Sequence, residues 1–533
     1  MKKLTIILFT ATLIISSCKK SYIDVNQNPN QPTQVTPNVV SSSALVGTAA
    51  NIGTDYLGLA RWMGYLSRSG NYVPDVQTET YNITNDYTDA EWTSLYLNLN
   101  NYNYIENVAK EQNLPFYIGV AKAMKAYDFS ILVDMYNNIP YSEAFNVTEN
   151  TTPAYEDGQT VYTDLVNQLD SAYDYFESAK TYYSGAASTI VTTDDQYDVM
   201  FGSARTGKDD PTDRMILWQK FTNTLKLRLL LNQSQVASQQ GFIQQEIAKI
   251  TNPDPDNGTA FLDAGQSAAV NPGYQPSTGK QNPFYNLFIT VTGNPTSTNN
   301  YYRANSYAVN FYVNTGDLRQ YFVYSGYSLT PGSNFDGDPA SVPNSSTSGI
   351  GDGLLKSPSQ DQLIISDFES LFMQAEAAER GWIQGDPRTL YESAITQSYV
   401  YVWVPGTIED LGVDPVDDKP EEWASFYLTG DIFGNGPTED VNWDASPNKL
   451  QLILTQKWIA LNGIDWVIAY DDYRRTGYPT NKWLSISHSP THLQSKIPIR
   501  YLYPQVEFNT NGGNVPQLGN GAQFTANVFW DVQ

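Results

Sequence analysis

The sequence predicts a mostly α-helical protein: a scaffold of stacked αα-hairpins with one large loop-rich face and a few short strands. Three observations predict it. Apolar residues recur at spacings of three and four over long stretches, which gathers them on one side of a helix. Cap and stop residues bound those stretches and leave short turns between them. From about residue 251 to 360 this periodicity gives way to Gly, Pro, Asn, Ser and Thr, as in "TNPDPDNGT", "GNPTSTNNYYR" and "TPGSNFDGDPASVPNSSTSGIGDG", which is turn chemistry.

In chain order, the first segment is a leader. Lys2 and Lys3 precede the apolar run Leu4 to Ile15, and Ser16, Ser17 and Cys18 follow it. A charged end, an apolar stretch and small residues make a secretory signal. Twelve helical residues rise about 18 Å, short of the roughly 30 Å of a bilayer core. Cys18 is the single cysteine of 533 residues, so disulfides are excluded. The segment "LIISSC" resembles a bacterial lipobox. That resemblance implies cleavage before Cys18, a diacylglyceryl group on its sulfur and a third acyl chain, such as palmitate, on the new amine; two or more chains anchor stably. Residue 19 is Lys, whereas in many Gram-negative bacteria an aspartate there retains lipoproteins on the inner membrane. Residues 18–38, rich in Asn, Pro and Gln, read as a lipidated flexible tether. Residues 39–533 read as one globular domain carrying the loop-rich insert.

Helices then begin. Thr88 and Glu91 are spaced as a capping box. Trp92, Leu95, Leu99, Tyr102, Ile105 and Val108 form the stripe behind it, and Phe116, Val120, Met124, Tyr127 and Ile131 form the next one after Pro115. Such a pair is an αα-hairpin. The unit returns in "SDFESLFMQAEAAERGW", which stops at Gly381, a good residue just past a helix end. Asp386–Pro387 restarts a helix with Leu390, Tyr391, Ala394 and Ile395 facing inward. A further long helix is expected from Ser446–Pro447 through "NKLQLILTQKWIALNGIDWVIAYDDYRR". Repeated hairpins of this kind point to helical-repeat stacking of tetratricopeptide type. Within the insert, Tyr285, Phe288, Tyr301, Tyr302, Phe311, Tyr312, Tyr321 and Phe322 argue for ordered loops, because disordered segments are poor in aromatics.

Composition excludes some functions. Without Lys2 and Lys3, 29 basic residues face 56 acidic ones, a net charge of −27. That field repels polyphosphates, so nucleic acid is not a partner. Charged residues make up only 16% of the chain, below the usual quarter. Amides, hydroxyls and 38 tyrosines stand in their place, a surface suited to uncharged, hydroxyl-rich ligands.

Motifs for chemistry are weak. Asp209–Asp210 and Asp471–Asp472 are adjacent carboxylates, but sequence neighbours on a helix point to different faces, whereas a glycosidase needs two carboxyls about 5 to 9 Å apart across a cleft. His488 and His492 have a zinc-like spacing, with Pro490 between them and no third ligand. Asp254 and Asp256 are spaced like part of a calcium loop that lacks the glycine at its sixth position and the closing Glu, so no metal is expected and calcium there is the alternative. "GIGDG" (349–353) lacks the preceding strand and following Lys of a phosphate loop and reads as a flexible turn. Arg474–Arg475 sits where cations favour a helix end. No cofactor is implied.

Several stretches resemble the SusD/RagB family of nutrient-binding outer-membrane lipoproteins, in its SusD-like branch of unassigned substrate. They are "YIDVNQNPNQP"; "AYDFSILVDMYNNIPYSEAF", above all Ile139 to Ala144; "WQKFTNTLKLRLLL" at Trp218, Lys220, Phe221, Asn223, Leu225, Lys226 and Arg228; "GDLRQYF", where Leu318 replaces a usual proline; "AEAAERGW"; "QKWIALNGIDWVIAYDDYRRTGYP"; and "IPIRYLYPQVEFNTN" at Pro498, Arg500, Tyr503, Pro504 and Glu507. The resemblance implies a cell-surface protein on the outer membrane that covers a SusC-like TonB-dependent transporter and hands it an oligosaccharide or peptide. It implies no catalysis. These motifs read as structural, so none supplies ligand contacts.

Ligand contacts are expected instead from aromatics in loops, since core aromatics lie in helical stripes. Arg68, Asn71, Tyr72, Tyr81 and Tyr87 form one candidate group, and Asn300, Tyr301, Tyr302 and Arg303 another. Packing is the commoner role of any tyrosine. Two alternatives stand beside the binding protein: a lipid-anchored glycoside hydrolase, and a helical-repeat scaffold for envelope proteins.

Overall fold

Proline at the first helical position starts α1 (Pro37–Thr54), which turns Ala44, Leu45, Thr48, Ala49 and Ile52 inward at helical spacing. In the computed structural model the described residues are 35–146, 148–252, 259–326, 347–405, 419–430, 436–482, 484–485, 487 and 496–532. The expected leader, Cys18, Asp254, Asp256, His488 and His492 lie outside them. Pro37 and Asn38, assigned above to the tether, are helical. The short α2 (Leu57–Trp62), β1 (Leu66–Arg68) and α3 (Val76–Thr80) follow.

The first predicted hairpin is α4 (Asp89–Gln112) and α5 (Pro115–Tyr136), joined through Asn113 at φ 55°. Every residue of both predicted stripes is buried. The capping box does not form: Thr88 makes no cap bond, and its Oγ1 accepts the Tyr136 hydroxyl at 2.7 Å instead. After the two-residue strands β2 (Ile139–Pro140) and β3 (Tyr155–Glu156) come α6 (Gly158–Gly185), α7 (Ser188–Tyr197), α8 (Ser203–Thr206) and α9 (Pro211–Asn232). Asp157 caps α6 and Asp210 caps α9, accepting from Thr160 N at 3.0 Å and Thr212 N at 2.8 Å. Helix α6 buries one stripe, from Val161 to Tyr183, as an outer helix does. Helices α5 and α9 are buried on nearly every side. They are the centre of the first half, with α6 packed on both and α4 on α5.

That centre encloses a carboxyl. Asp128 on α5 is fully buried and accepts from Thr48 Oγ1 at 3.1 Å and Asn98 Nδ2 at 3.0 Å. Burial pushes it up to about 7 against the pull of those two bonds. Because the folded state keeps a proton that the unfolded chain loses near pH 4, this group's contribution to stability falls as pH rises from about 4 through about 7. Asp128→Asn should therefore gain stability relative to the parent at pH 8 compared with pH 5. Urea midpoints at both values measure it, and a difference independent of pH would count against that titration.

The middle segment is more regular than expected. After α10 (Gln240–Lys249) come β4 (Ala268–Val270), α11 (Pro283–Phe288), α12 (Ser297–Tyr301), β5 (Tyr302–Ala304), α13 (Ser306–Thr315) and α14 (Gln320–Val323). The glycine turn 349–353 is a buried ladder and not a flexible loop: Gly351 and Gly353 donate to Val323 O and Phe322 O at 2.8 and 2.9 Å. A Cβ at either glycine would lie 2.3 Å from a backbone oxygen. Strand β6 (Gln362–Ile365) pairs antiparallel with β4, and β5 pairs antiparallel with β1. The insert is thus stitched to both flanks.

The last stretch repeats the hairpin. Helix α15 (Asp367–Glu379) is capped by Ser366 and ends at Gly381, with φ 72°; α16 (Pro387–Val402) is capped by Asp386. Then come α17 (Pro420–Thr429), α18 (Lys449–Ala460) and α19 (Trp466–Thr476). The single long helix expected here is two. Gly463, at φ 77°, breaks it, and Asp465 recaps the chain through Ile468 N at 3.1 Å. Leu354 fills the space where a Cβ on Gly463 would stand, 2.2 Å away.

Buried ion pairs join the halves. Arg228 on α9 meets Glu369 on α15 at 2.5 Å. Arg475 on α19 grips Glu376 on α15 through two bonds of 2.7 and 2.6 Å. Arg474 bonds Asp471 and the backbone oxygen of Asp134 on α5. The pair Arg474–Arg475 is therefore a buried tie, beyond a favourable helix end. The family-like motifs are structural in the same way. Arg319 is held by Asp317, Ser398 and Gln456. Leu318 N donates to the Tyr399 hydroxyl at 3.3 Å, a bond that a proline could not make. Among the described residues, no helix is long and apolar enough to cross a membrane.

Candidate functional site

The two predicted groups, more than two hundred residues apart, are brought together by one strand pair. Arg68 lies opposite Tyr302 and Ser67 opposite Arg303. The ladder continues as Ser69 N donates to Tyr301 O at 2.7 Å. Beyond it the chain turns at Tyr72, whose N–H donates to Ser69 O at 3.2 Å, and enters α3, which Asp75 caps. The Tyr72 and Tyr301 rings meet edge to face at 5.3 Å, and Tyr301 and Tyr302 at 4.8 Å. All three are half-buried, Asn71 is exposed, and Asn300 is partly exposed. Together they form a tyrosine ledge with an amide at each end.

A buried charge cluster holds the ledge from behind. Glu79 is 1% exposed. It accepts from Arg68 Nε at 2.5 Å, from Arg61 Nη2 at 2.8 Å and from Asp75 N at 3.0 Å. Arg61 also bonds Asp75 at 3.1 Å and donates to the Tyr301 hydroxyl at 3.3 Å. Arg68 donates to Tyr72 O at 2.7 Å. Two arginines on two carboxylates, Glu79 and Asp75, leave little net charge, and the geometry is fixed by forked donors.

Four of the nine expected contacts change role. Arg68 is a buried brace, 4% exposed. Arg303 is also buried; it donates to Asn300 O at 3.2 Å, and burial lowers its guanidinium from the ordinary value. Tyr81, with no exposed surface, packs against Trp62, and its hydroxyl accepts from Ser485 N at 2.8 Å. Tyr87 stacks on Trp62 at 6.2 Å and shares a 2.8 Å hydrogen bond with Thr78; burial pushes its phenol well up. Asn71, Tyr72, Asn300, Tyr301 and Tyr302 remain as surface groups. Sequence reasoning missed Arg61, Asp75 and Glu79, whose one local signal is an Asp capping position just before a short helix. It also missed Val73 and Val76, 83% and 47% exposed, which extend the apolar edge beside Tyr72.

The carboxylate pairs are engaged elsewhere. Asp210 caps α9. Asp471 is bonded by Arg474. Asp472 sits 2.6 Å from Arg475 and 2.9 Å from Lys457. Among the described residues, no group of three His, Cys, Asp or Glu could hold a metal ion.

The model of the SusD-like family described as "starch-binding associating with outer membrane" matches residues 29–504. A SusD homologue from Bacteroides fragilis superposes with a TM-score of 0.65 at 20% identity, over 93% of this chain and 99% of that one. A chitin-binding SusD homologue from Flavobacterium johnsoniae gives 0.66 at 22% identity, over 92% and 99%. A SusD/RagB family protein from Bacteroides thetaiotaomicron gives 0.67 at 18% identity, over 94% and 99%. These likenesses carry the fold. A comparison with curated proteins finds no match.

Proposed function

Since the chain belongs to the SusD-like family, whose description is starch-binding and associated with the outer membrane, we propose that it is a lipid-anchored surface protein that grips a neutral oligosaccharide on the tyrosine ledge and passes it, unaltered, to a SusC-like TonB-dependent transporter. The observation that carries this reading is the β1–β5 pairing, which sets Tyr72 beside Tyr301 and Tyr302 on the surface. A sugar ring offers a face of C–H bonds to an aromatic ring, and its hydroxyls pair with amides such as those of Asn71 and Asn300. A net charge of −27 after removal of the leader favours uncharged ligands over polyanions. The chitin-binding relative supports a glycan over a peptide.

The charge cluster supports binding without turnover. A glycosidase needs two carboxyls about 5 to 9 Å apart, one of them able to give up a proton to the leaving oxygen. Asp75 and Glu79, the acids beside the ledge, are both held by arginine. The anchor is tested at Cys18. Cys18→Ala should shift the protein from the outer-membrane fraction to the soluble envelope fraction, or leave the leader uncut. Mass spectrometry of the parent's mature N-terminus should find acyl chains on Cys18, and gentle detergent should recover it with a large outer-membrane barrel. A C18A variant that stays with the membrane at the parent's level contradicts the anchor.

A further inference from the structure

A second cleft, sharing no residue with the ledge, opens between α8, the chain entering β4, the chain entering β6 and the end of α16, with a volume of about 700 Å³. Phe201, Leu217 and Leu363, all buried, form its apolar wall, and the exposed Val400 extends it. The charged lining runs against the rest of the chain. Across the sequence without Lys2 and Lys3, 29 basic residues face 56 acidic ones. Here Arg205, Lys208 and Lys356 face one carboxylate, Asp361.

That carboxylate is already engaged. One oxygen accepts from Arg205 Nη2 and the other from Asn271 Nδ2 at 2.8 Å. Two further acids stand just outside the lining. Asp367 is buried and accepts from Gly265 N at 2.7 Å and Ser267 Oγ at 3.0 Å. Asp213 reaches Lys208 at 3.8 Å, a largely solvated contact that contributes little. Lys356 keeps its charge without an ion-pair partner among the described residues, Asp361 being given to Arg205. Its Nζ donates to Tyr401 O and lies 3.7 Å from the centre of the Tyr401 ring, contacts that place a cation without neutralising it. The loop that carries it is pinned. Ser357 N donates to Gln360 Oε1 at 3.2 Å, and Gln360 Nε2 donates to Leu354 O at 3.0 Å. Arg205 is also incompletely used, since its Nε is buried with no hydrogen-bond partner among the described residues. A buried donor left unpaired is unfavourable.

Positioned cations with an unused donor, beside an apolar wall, match an organic anion: a carboxylate carried on an apolar or aromatic body. Guanidinium and carboxylate suit each other in charge and in planar geometry. The acidic field of the whole chain disfavours anions of higher charge, so the fit is to one carboxylate and not to a polyphosphate. We propose that this cleft binds a monocarboxylate with an apolar body, its charged end between Lys356 and Arg205 and its body against Phe201, Leu217 and Leu363. A free acid and the C-terminus of a short peptide share that chemistry. The site stands apart from the glycan reading of the ledge, with which it has no residue in common.

The test is calorimetric titration of the full mature chain at neutral pH with 3-phenylpropanoate, hexanoate and acetyl-Gly-Gly-Phe, each beside its neutral amide. At least one acid should bind saturably, its amide about tenfold or more weakly, and added salt should reduce the binding of the acid. Lys356→Met should weaken the acid about tenfold or more, Lys356→Arg should retain most of the affinity, and Tyr301→Ala should change nothing. Binding of the peptide acid alone points to chain termini, and binding of a free acid points to small molecules; either result upholds the carboxylate site. An amide bound as tightly as its acid, an unchanged affinity in folded Lys356→Met, or no binding by any acid up to about 10 mM overturns it.

Discussion

Replacing Glu376 with alanine is expected to cost about 3 to 5 kcal/mol of folding stability, the loss typical of breaking a buried ion pair and stranding its partner. Glu376 has no exposed surface. It receives two bonds from Arg475 and two contacts from Arg380. Without it, Arg475 keeps only Asp472, a carboxylate already shared with Lys457. The same pair gives a pH signature. Burial alone would raise the Glu376 carboxyl, but Arg475, Arg380 and Lys457 outweigh it and hold it at about 2, below its ordinary 4.5. Its stabilising contribution is therefore complete above about pH 4.5 and is lost as pH falls toward about 2. Urea unfolding from pH 7 to pH 3 measures both effects. A Glu376→Ala loss below about 1 kcal/mol would contradict the role assigned to the tie.

Tyr301→Ala should weaken glycan binding by about 2 kcal/mol or more, roughly thirtyfold, while leaving the fold in place. The ring is half-buried and sits at the centre of the ledge, between Tyr72 and Tyr302. Its hydroxyl takes one bond from Arg61, which has Glu79 and Asp75 to fall back on. Tyr301→Phe should therefore retain most of the affinity. Tyr81→Ala provides the contrast. That ring is fully buried beneath Trp62, and its loss should cost about 3 to 5 kcal/mol of stability. An unchanged affinity in Tyr301→Ala, measured on a folded protein, would remove the ledge from the account.

The helical scaffold was legible because its signals are local. The stripes of α4 and α5 are periodicities that can be read within one helix, and the stop at Gly381 lies within a few residues of the bond it makes, Trp382 N to Ala377 O. The reading failed where a local signal had a distant competitor. Thr88 looks like a cap until Tyr136, from the next helix, claims its hydroxyl oxygen. Gly463 looks like a tolerable glycine inside a helix until Leu354 fills the space beside it.

The site divides in the same way. Loop tyrosines do reach the surface, and the two stretches do meet, but only the β1–β5 pairing decides which side chains face out. Tyr72 and Tyr301 reach the surface. Tyr81, nine residues beyond Tyr72, turns inward at φ 57°. Arg68 carries a strong binding signal in sequence and spends it on Glu79. Nothing near Arg61 in the chain announces that it supports Tyr301, 240 residues away.

The most direct test of the central claim is calorimetric titration of the parent protein and of the Tyr72→Ala/Tyr301→Ala double variant with neutral oligosaccharides, the recovered sugar being analysed for cleavage. Saturable binding by the parent, binding at least a hundredfold weaker by the folded variant, and sugar recovered intact are expected. Equal affinity in the two proteins, or shortened oligosaccharide after incubation with the parent, would contradict that claim.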